Sequence, residues 1–221
     1  MKAKLVDSKV IARDIKRYYF EPEHKISQTA GQFIEMHLKH DHPDDRGIRR
    51  WFTLSSSPTD KYLAITTKQI GDKASSFKKT LDKLKVGDHL DISDPMGDFV
   101  LPKDSLLPLI FVAGGIGITP FLSIAEYLRS TGEKRQIHLF YAVSDMAEAL
   151  NLAKYSSVLG SQRLILGQLS AQLIYDEAQK LNNPLIYISG PEHMVEGLNK
   201  GLEDLGVDKT RLIGDFFPGY D

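Results

Sequence analysis

The segment Gly114-Gly115-Ile116-Gly117-Ile118-Thr119-Pro120 limits the possible folds of this chain more than any other. It follows the apolar run Leu109–Ala113 and opens the amphipathic run Pro120–Ser130, so it reads as a strand, a glycine turn and a helix. Glycines at such a turn let backbone amides approach a diphosphate, Thr119 suits the cap, and Pro120 suits the first helical turn. A tight turn that needs small residues only for packing is the competing reading. Pro120 stands where the usual dinucleotide fingerprint has its third glycine, which points to a variant nucleotide domain.

The same loop dismisses a membrane reading. Ser105 to Ala125 carries no charge and is long enough to span, but Pro108, Gly114, Gly115, Gly117 and Pro120 would free backbone groups that lipid cannot satisfy. The N-terminus lacks the apolar stretch of a secretory signal, so a cytoplasmic location is expected. Lys plus Arg (28) nearly balance Asp plus Glu (29), which leaves no positive field for nucleic acid. With no cysteine there is no disulfide, thiolate chemistry or Cys-held iron–sulfur cluster in this chain. Redox chemistry here would need an organic cofactor.

The rhythm of the chain changes near Leu101-Pro102-Lys103-Asp104. Before it, Leu5–Ala12, Ile15–Phe20, Gln32–Leu38, Arg50–Leu54, Leu63–Gln69 and His89–Ile92 read as short strands, with a helix at Ser76–Leu84. That spacing predicts a small antiparallel barrel or sandwich. After it, strands at Leu109–Ala113, Gln136–Val143, Arg163–Leu166 and Leu185–Ser189 alternate with helices at Pro120–Ser130, Ala147–Leu159, Ser170–Leu181 and Glu192–Leu205. Alternation predicts a parallel sheet with helices on both faces. Two domains are expected, residues 1–103 and 104–221.

Three further segments could carry chemistry. Ser189-Gly190-Pro191-Glu192-His193-Met194 follows a buried strand and starts a helix, which puts it on the same rim as the glycine loop, with Ser189 facing the crevice. Arg49-Arg50-Trp51-Phe52-Thr53-Leu54-Ser55-Ser56-Ser57-Pro58 offers a guanidinium, aromatic faces and hydroxyls for a flavin seat; the competing reading is a barrel strand with Phe52 and Leu54 in the core and a Ser-rich turn. Gly71-Asp72-Lys73-Ala74-Ser75-Ser76 precedes the Phe77 helix and could take a second phosphate or simply cap it. His37, His40 and His42 lie near Asp41, Asp44 and Asp45, yet Pro43 and the surrounding charges make this a solvated loop and no metal site. No hydrolase elbow or zinc helix is present.

In this order the motifs resemble the ferredoxin-NADP reductase family of flavin-dependent oxidoreductases, over essentially the whole chain. Arg50-Trp51-Phe52-Thr53 is similar to that family's Arg-x-Tyr-Ser, and Lys68 to Phe77 to its flavin-phosphate segment. Asp94-Pro95-Met96-Gly97-Asp98-Phe99 is similar to its Gly-Pro-x-Gly-x-Phe, Gly114 to Pro120 to its Gly-Gly-x-Gly-x-Thr-Pro, and Ser189 to Met194 to its Cys-Gly-Pro-x-x-Met. Phe217-Pro218-Gly219-Tyr220 resembles a Phe-x-Gly-Tyr ending of bacterial members.

The resemblance implies a stand-alone two-domain form: a six-stranded antiparallel flavin barrel, then an α/β parallel-sheet nucleotide domain. Hydride would pass between NAD(P)H and bound FAD, with FAD expected over FMN, and electrons onward to a ferredoxin, flavodoxin or oxygenase component. It further implies that Arg50 pairs with a flavin phosphate, Phe52 lies along the ring and Thr53 bonds near N5. Leu54, Ser55, Thr67, Lys68, Ser75 and Ser76 complete the flavin set. Gly115, Gly117, Thr119, Pro120, Gly190, Pro191 and Met194 serve the nicotinamide nucleotide, Ser189 replaces the family's Cys beside the nicotinamide, and Phe217 and Tyr220 cover the flavin. Phe52, Thr53 and Ser189 would be the catalytic residues. Ser144-Asp145 after Gln136–Val143 puts a carboxylate near the adenosine ribose with no adjacent base, which favours NADH; the competing reading makes Asp145 a cap of Ala147–Leu159, with Lys154 or Arg163 in reach of a phosphate. The alternatives are a flavin-binding sensor or electron-transfer subunit without catalysis, and a reductase of free flavin.

Overall fold

The computed structural model describes residues 1–69 and 74–217, the last without its side chain. The first half forms an antiparallel sheet of β1 (Lys2–Ala12), β2 (Ile15–Pro22), β3 (Phe33–His37), β4 (Arg49–Thr53), β5 (Leu63–Lys68) and β6 (His89–Ile92), in the order β4-β3-β6-β1-β2-β5. An isolated Leu54–Ile65 bridge brings the two outer strands together and rounds the sheet into a barrel. Alternate side chains point inward: Leu5, Tyr18, Phe20, Ile34, Met36, Leu54 and Ile65 are all buried. Helix α1 (Ser76–Lys83) plugs this interior with Phe77 and Leu81, one turn apart and both fully buried.

The β1–β2 hairpin turns on Arg13-Asp14, with Asp14 in the left-handed region at φ 58°. Its tip reaches the second half of the molecule, where the Arg13 amide donates to the Ala147 carbonyl at 3.0 Å.

The second half is a parallel sheet of β7 (Leu109–Gly114), β8 (Ile137–Val143), β9 (Ser161–Leu166), β10 (Leu185–Pro191) and β11 (Leu212–Phe217), ordered β11-β10-β7-β8-β9. Strand β7 is buried throughout, and its period of two sorts two cores. Leu109, Phe111 and Ala113 pack toward α2 (Thr119–Thr131), whereas Ile110 and Val112 join Ile174 of α4 (Ala171–Ala178) and Val195 and Leu198 of α5 (Glu192–Asp204). Neighbours of β7 lead away in opposite directions along the chain, so the ends of β7 and β10 form the switch point where such sheets bind ligands.

The two halves share a core. Phe99 packs edge-on against Phe121 and Tyr187, and the Tyr187 hydroxyl donates to the Val100 carbonyl at 2.7 Å. Ser123 Oγ donates to the Ser56 carbonyl at 2.6 Å.

Two segments differ from the sequence expectation. Ala147–Leu159 is not one helix but two short 3-10 turns, Met146–Glu148 and Ala153–Tyr155, then a single turn α3 (Ser156–Leu159). Its start is held to the barrel through Ala147 and Glu148, and the Asn151 side chain takes the Ala153 amide, a local bond that competes with helix. Strand β11 was not foreseen, because Gly214-Asp215 interrupt its apolar pattern. The parallel register with β10 supplies the pairing that its composition does not advertise.

Candidate functional site

The barrel end of the site is a cluster of charges at the start of α1. Arg50 is mostly enclosed: Nη2 contacts Asp44 Oδ1 at 2.7 Å, while Nη1 donates to the carbonyls of Arg46, Gly47 and Arg49. Its guanidinium lies over the Phe77 ring at 5.4 Å. The second oxygen of Asp44 accepts the Ser76 amide at 2.9 Å, and the Asp44 amide donates to Ser76 Oγ at 2.9 Å. Burial opposes the Asp44 charge, but the Ser76 amide and hydroxyl and Arg50 outweigh it and hold the carboxyl below its ordinary range. The His37–Asp45 stretch is therefore not merely a solvated loop. His40 Nε2 lies 3.0 Å from Ser76 Oγ, and among the described residues no group of three His, Cys, Asp or Glu could hold a metal.

Ser75 caps α1 by accepting the Lys78 amide. Gly71 to Lys73, expected before it, lie outside the described residues, as does Tyr220. Phe52 sits in the barrel core at 6% exposure with its ring against Phe77, and Leu54 is deeper still. The exposed ring of that strand is Trp51. Ser55 is hydrogen-bonded within the barrel to Thr66 Oγ1 and the Ala64 carbonyl, and Thr67 is fully buried. From Phe52 to Ser57 and from Leu63 to Thr67 every residue is buried, so both faces of these strand ends are covered.

The α/β end is built mainly from backbone. A cavity of about 560 Å³ opens at the ends of β7, β8 and β10, with Gly115, Ile116, Ser144, Pro191 and Met194 on its wall and Lys68 entering from the barrel. The glycines divide the labour. Gly115 has φ 53°, and a Cβ there would meet nothing, so its need is conformational. Gly117 is buried, and a Cβ would lie 2.2 Å from the Ser189 carbonyl, so it exists to let the two loops touch. Gly114 and Gly190 make room for Met194 in the same way.

Two expectations at this loop are corrected. Thr119 does not cap α2: the Gly115–Ile118 3-10 turn precedes the helix, and Thr119 Oγ1 donates to the Ile116 carbonyl with Pro120 in the first turn. Ser189 does not open on the crevice. It is fully buried beneath Gly117.

Asp145 is also differently placed. It caps the Met146 turn through the Ala147 amide and pairs with Arg13, which folding of the hairpin brings beside it. The cavity wall instead carries Glu148, whose carboxylate meets Lys68 Nζ at 2.6 Å. Neither Arg13 nor Glu148 was singled out in the sequence, because nothing local marks a pairing between residues so far apart. Asp215 was missed too. It is the register partner of Ser189 on β11, and burial pushes its carboxyl up to about 6. Phe217 pairs through its backbone with Pro191.

The donor set suits a phosphorylated flavin. On the barrel, Arg50 Nε and Thr53 Oγ1 are among the buried side-chain atoms without a hydrogen-bond partner, a condition that costs on the order of 1–3 kcal/mol each. An anion already bridges Arg50 and the α1 amide, which shows the chemistry the pair accepts.

Comparisons with known proteins agree. Residues 2–101 match the oxidoreductase FAD-binding domain family. Flavohemoprotein A of Dictyostelium discoideum is 27% identical over 96% of this chain and 59% of its own length. The chain thus spans little more than half of that relative. Among solved structures, an Amycolatopsis cytochrome P450 reductase superposes with a TM-score of 0.80 at 22% identity, covering 98% of this chain and 70% of that one. Ferredoxin-NADP+ reductase from Plasmodium falciparum gives 0.79 at 19% identity, covering 98% and 95%. Residues 2–101 thus match an oxidoreductase FAD-binding domain, and the chain as a whole shares its fold with the cytochrome P450 reductase and the ferredoxin-NADP+ reductase.

Proposed function

We propose that this chain takes hydride from NAD(P)H onto bound FAD and passes the electrons to a separate acceptor, with residues 1–103 holding the flavin and 104–221 the nucleotide. The observation that carries the reading is the cavity walled from both halves, with Ile15 and Lys68 of the barrel facing Gly115 and Pro191 across it. Flavin supplies the hydride-accepting chemistry when bound. Arg50, Ser75 and Ser76 hold its phosphates, and Thr53 offers the buried hydroxyl for the ring edge near N5. Phe52, packed on Phe77, is a wall below the ring rather than a free stacking partner. Gly115 and its neighbours present amides to the nucleotide diphosphate, and Pro191 and Met194 on the cavity wall flank the nicotinamide, with Ser189 buried behind them.

NADH remains the expected nucleotide, on the ground that Glu148 lies on the cavity wall, where a carboxylate suits a 2′-hydroxyl and repels a 2′-phosphate. The acceptor is of the class served by the P450 reductase that this chain resembles in fold: an oxygenase or another electron carrier. A cytoplasmic site of action fits such a partner, and no helix among the described residues is long and apolar enough to cross a membrane.

The test is anaerobic addition of NADH and NADPH, separately, to desalted yellow protein. Rapid loss of the flavin band near ~450 nm, faster with NADH, is the expected result. Bound flavin that neither nucleotide bleaches would overturn the enzyme reading in favour of a sensor or transfer subunit. A second reading, reduction of free flavin, draws on the engagement of Arg50 by Asp44, and colourless protein that still oxidises NADH with added flavin would establish it.

A further inference from the structure

The β3–β4 connection, residues 38–48, closes on the very groups that the flavin reading assigns to phosphate. Asp44 places one carboxylate oxygen on Arg50 Nη2 at 2.7 Å and the other on the Ser76 amide at 2.9 Å, in the first turn of α1. Two donors that the flavin reading gives to a phosphoryl group are thereby spanned by a carboxylate of the same chain. The enclosure is nearly complete. Arg46, Gly47 and Arg49 carbonyls take Nη1, and only Nε of the guanidinium is left buried without a partner. Nη1 is taken by three carbonyls and one N–H of Nη2 by Asp44, so a phosphate that bridges Nη2 and the Ser76 amide competes directly with the Asp44 carboxylate.

The loop is built to move. Asp41, His42, Pro43, Asp45 and Arg46 are all exposed, so its release uncovers little apolar surface. Residues 41–47 are held by polar contacts, the Asp44 contacts, the Asp44 amide on Ser76 Oγ and the Gly47 amide on the Asp44 carbonyl, while Leu38 in the barrel core and His40, on Ser76 Oγ and edge-on to Phe77, anchor the segment before them. Each phosphoryl group of the FAD diphosphate carries one negative charge and two non-bridging oxygens, as a carboxylate does, so it can replace these bonds in kind.

We infer that Asp44 is an internal stand-in for the flavin phosphate, so that flavin binds by displacing the Asp44 carboxylate from Arg50 and Ser76 and its affinity is set by that exchange. The inference rests on the flavin reading above and adds the residue that limits it. Asp44 as a mere orienting partner for Arg50 makes the opposite prediction, since removing an orienter weakens binding.

The experiment is a FAD titration of flavin-stripped protein, followed by quenching of flavin fluorescence, for wild type, Asp44→Asn and the neighbouring charge control Asp45→Asn. Asp44→Asn is expected to bind FAD about tenfold more tightly, with Asp45→Asn unchanged. Equal or weaker binding by Asp44→Asn would overturn the inference. Hydrogen exchange on wild type gives a readout that needs no variant: FAD should speed exchange of the Asp44 and Gly47 amides, and slower exchange there would overturn the exchange of anions. Failure of all three proteins to take FAD would overturn the flavin reading itself, and the inference with it, whereas FAD binding with no gain in Asp44→Asn removes the inference alone.

Discussion

The two ends of the cleft are built from opposite materials. On the barrel, side chains do the work: a guanidinium and one helix amide converge, and both are engaged by Asp44 of the adjacent loop. On the α/β domain, backbone does it: Gly115 turns left-handed beside an open cavity, and Gly117 lets that loop sit directly on β10. Side-chain sites can be filled from within the chain, because any nearby carboxylate competes for the same charge. A glycine loop cannot, since its shape is fixed by packing behind it. The barrel site is thus the adjustable one, and the glycine site the rigid one.

The contrast can be tested from the largest effect to the smallest. Gly117→Val should be the most damaging, because its Cβ would meet backbone at 2.2 Å; a loss of roughly 3 kcal/mol in urea unfolding is expected. A loss below about 1 kcal/mol would show the loop to be compliant after all.

Asp215 comes next. Its folded carboxyl titrates at about 6 against an ordinary 3.8, so the native state binds the extra proton in that window and stability falls as pH rises through it. Asp215→Asn should remove this slope and stabilise the protein above pH 6 by on the order of 2–3 kcal/mol, measured as unfolding free energy against pH.

At the barrel, Arg50→Gln should weaken FAD roughly 10- to 100-fold while leaving the Gly117 contact, and hence the thermal stability of the α/β domain, unaltered. Gly115→Ala should cost only about 1 kcal/mol, for the positive φ alone, since no atom opposes its Cβ. The smallest effect is expected at the hairpin tip. Arg13→Ala removes an exposed ion pair with Asp145 and should leave the melting midpoint unchanged, though a measurable shift would mark the tip as a real interdomain tie.

Local chemistry made much of this molecule readable. The apolar run before Gly114 and the amphipathic run after Pro120 are self-sufficient signals, and both elements occur where the spacing puts them. The barrel strands follow the same logic, with inward residues at every second position. The errors share one cause. Ala147–Leu159 has helical composition, yet contacts with Arg13 and Lys68 from the barrel pin its first turn and break it. Thr119 reads as a cap until a 3-10 turn precedes it, and Ser189 reads as a rim residue until Gly117 covers it. Asp44 sat in a stretch that looked solvated because its partner amide, Ser76, lies 32 residues on.

Sequence alone determined the order of strands and helices except at Ala147–Leu159 and β11, the change from antiparallel to parallel architecture, and the loop that must turn at Gly115. These follow from periodicity and from backbone sterics, which act over a few residues. Tertiary structure alone decided which charges meet. It brought Arg13 to Asp145, Lys68 to Glu148 and Asp44 to Arg50, and it set Asp215 beside Ser189 in a place dry enough to hold its proton. Coulomb energy and desolvation depend on distance in space and on what excludes water, and neither is written along the chain.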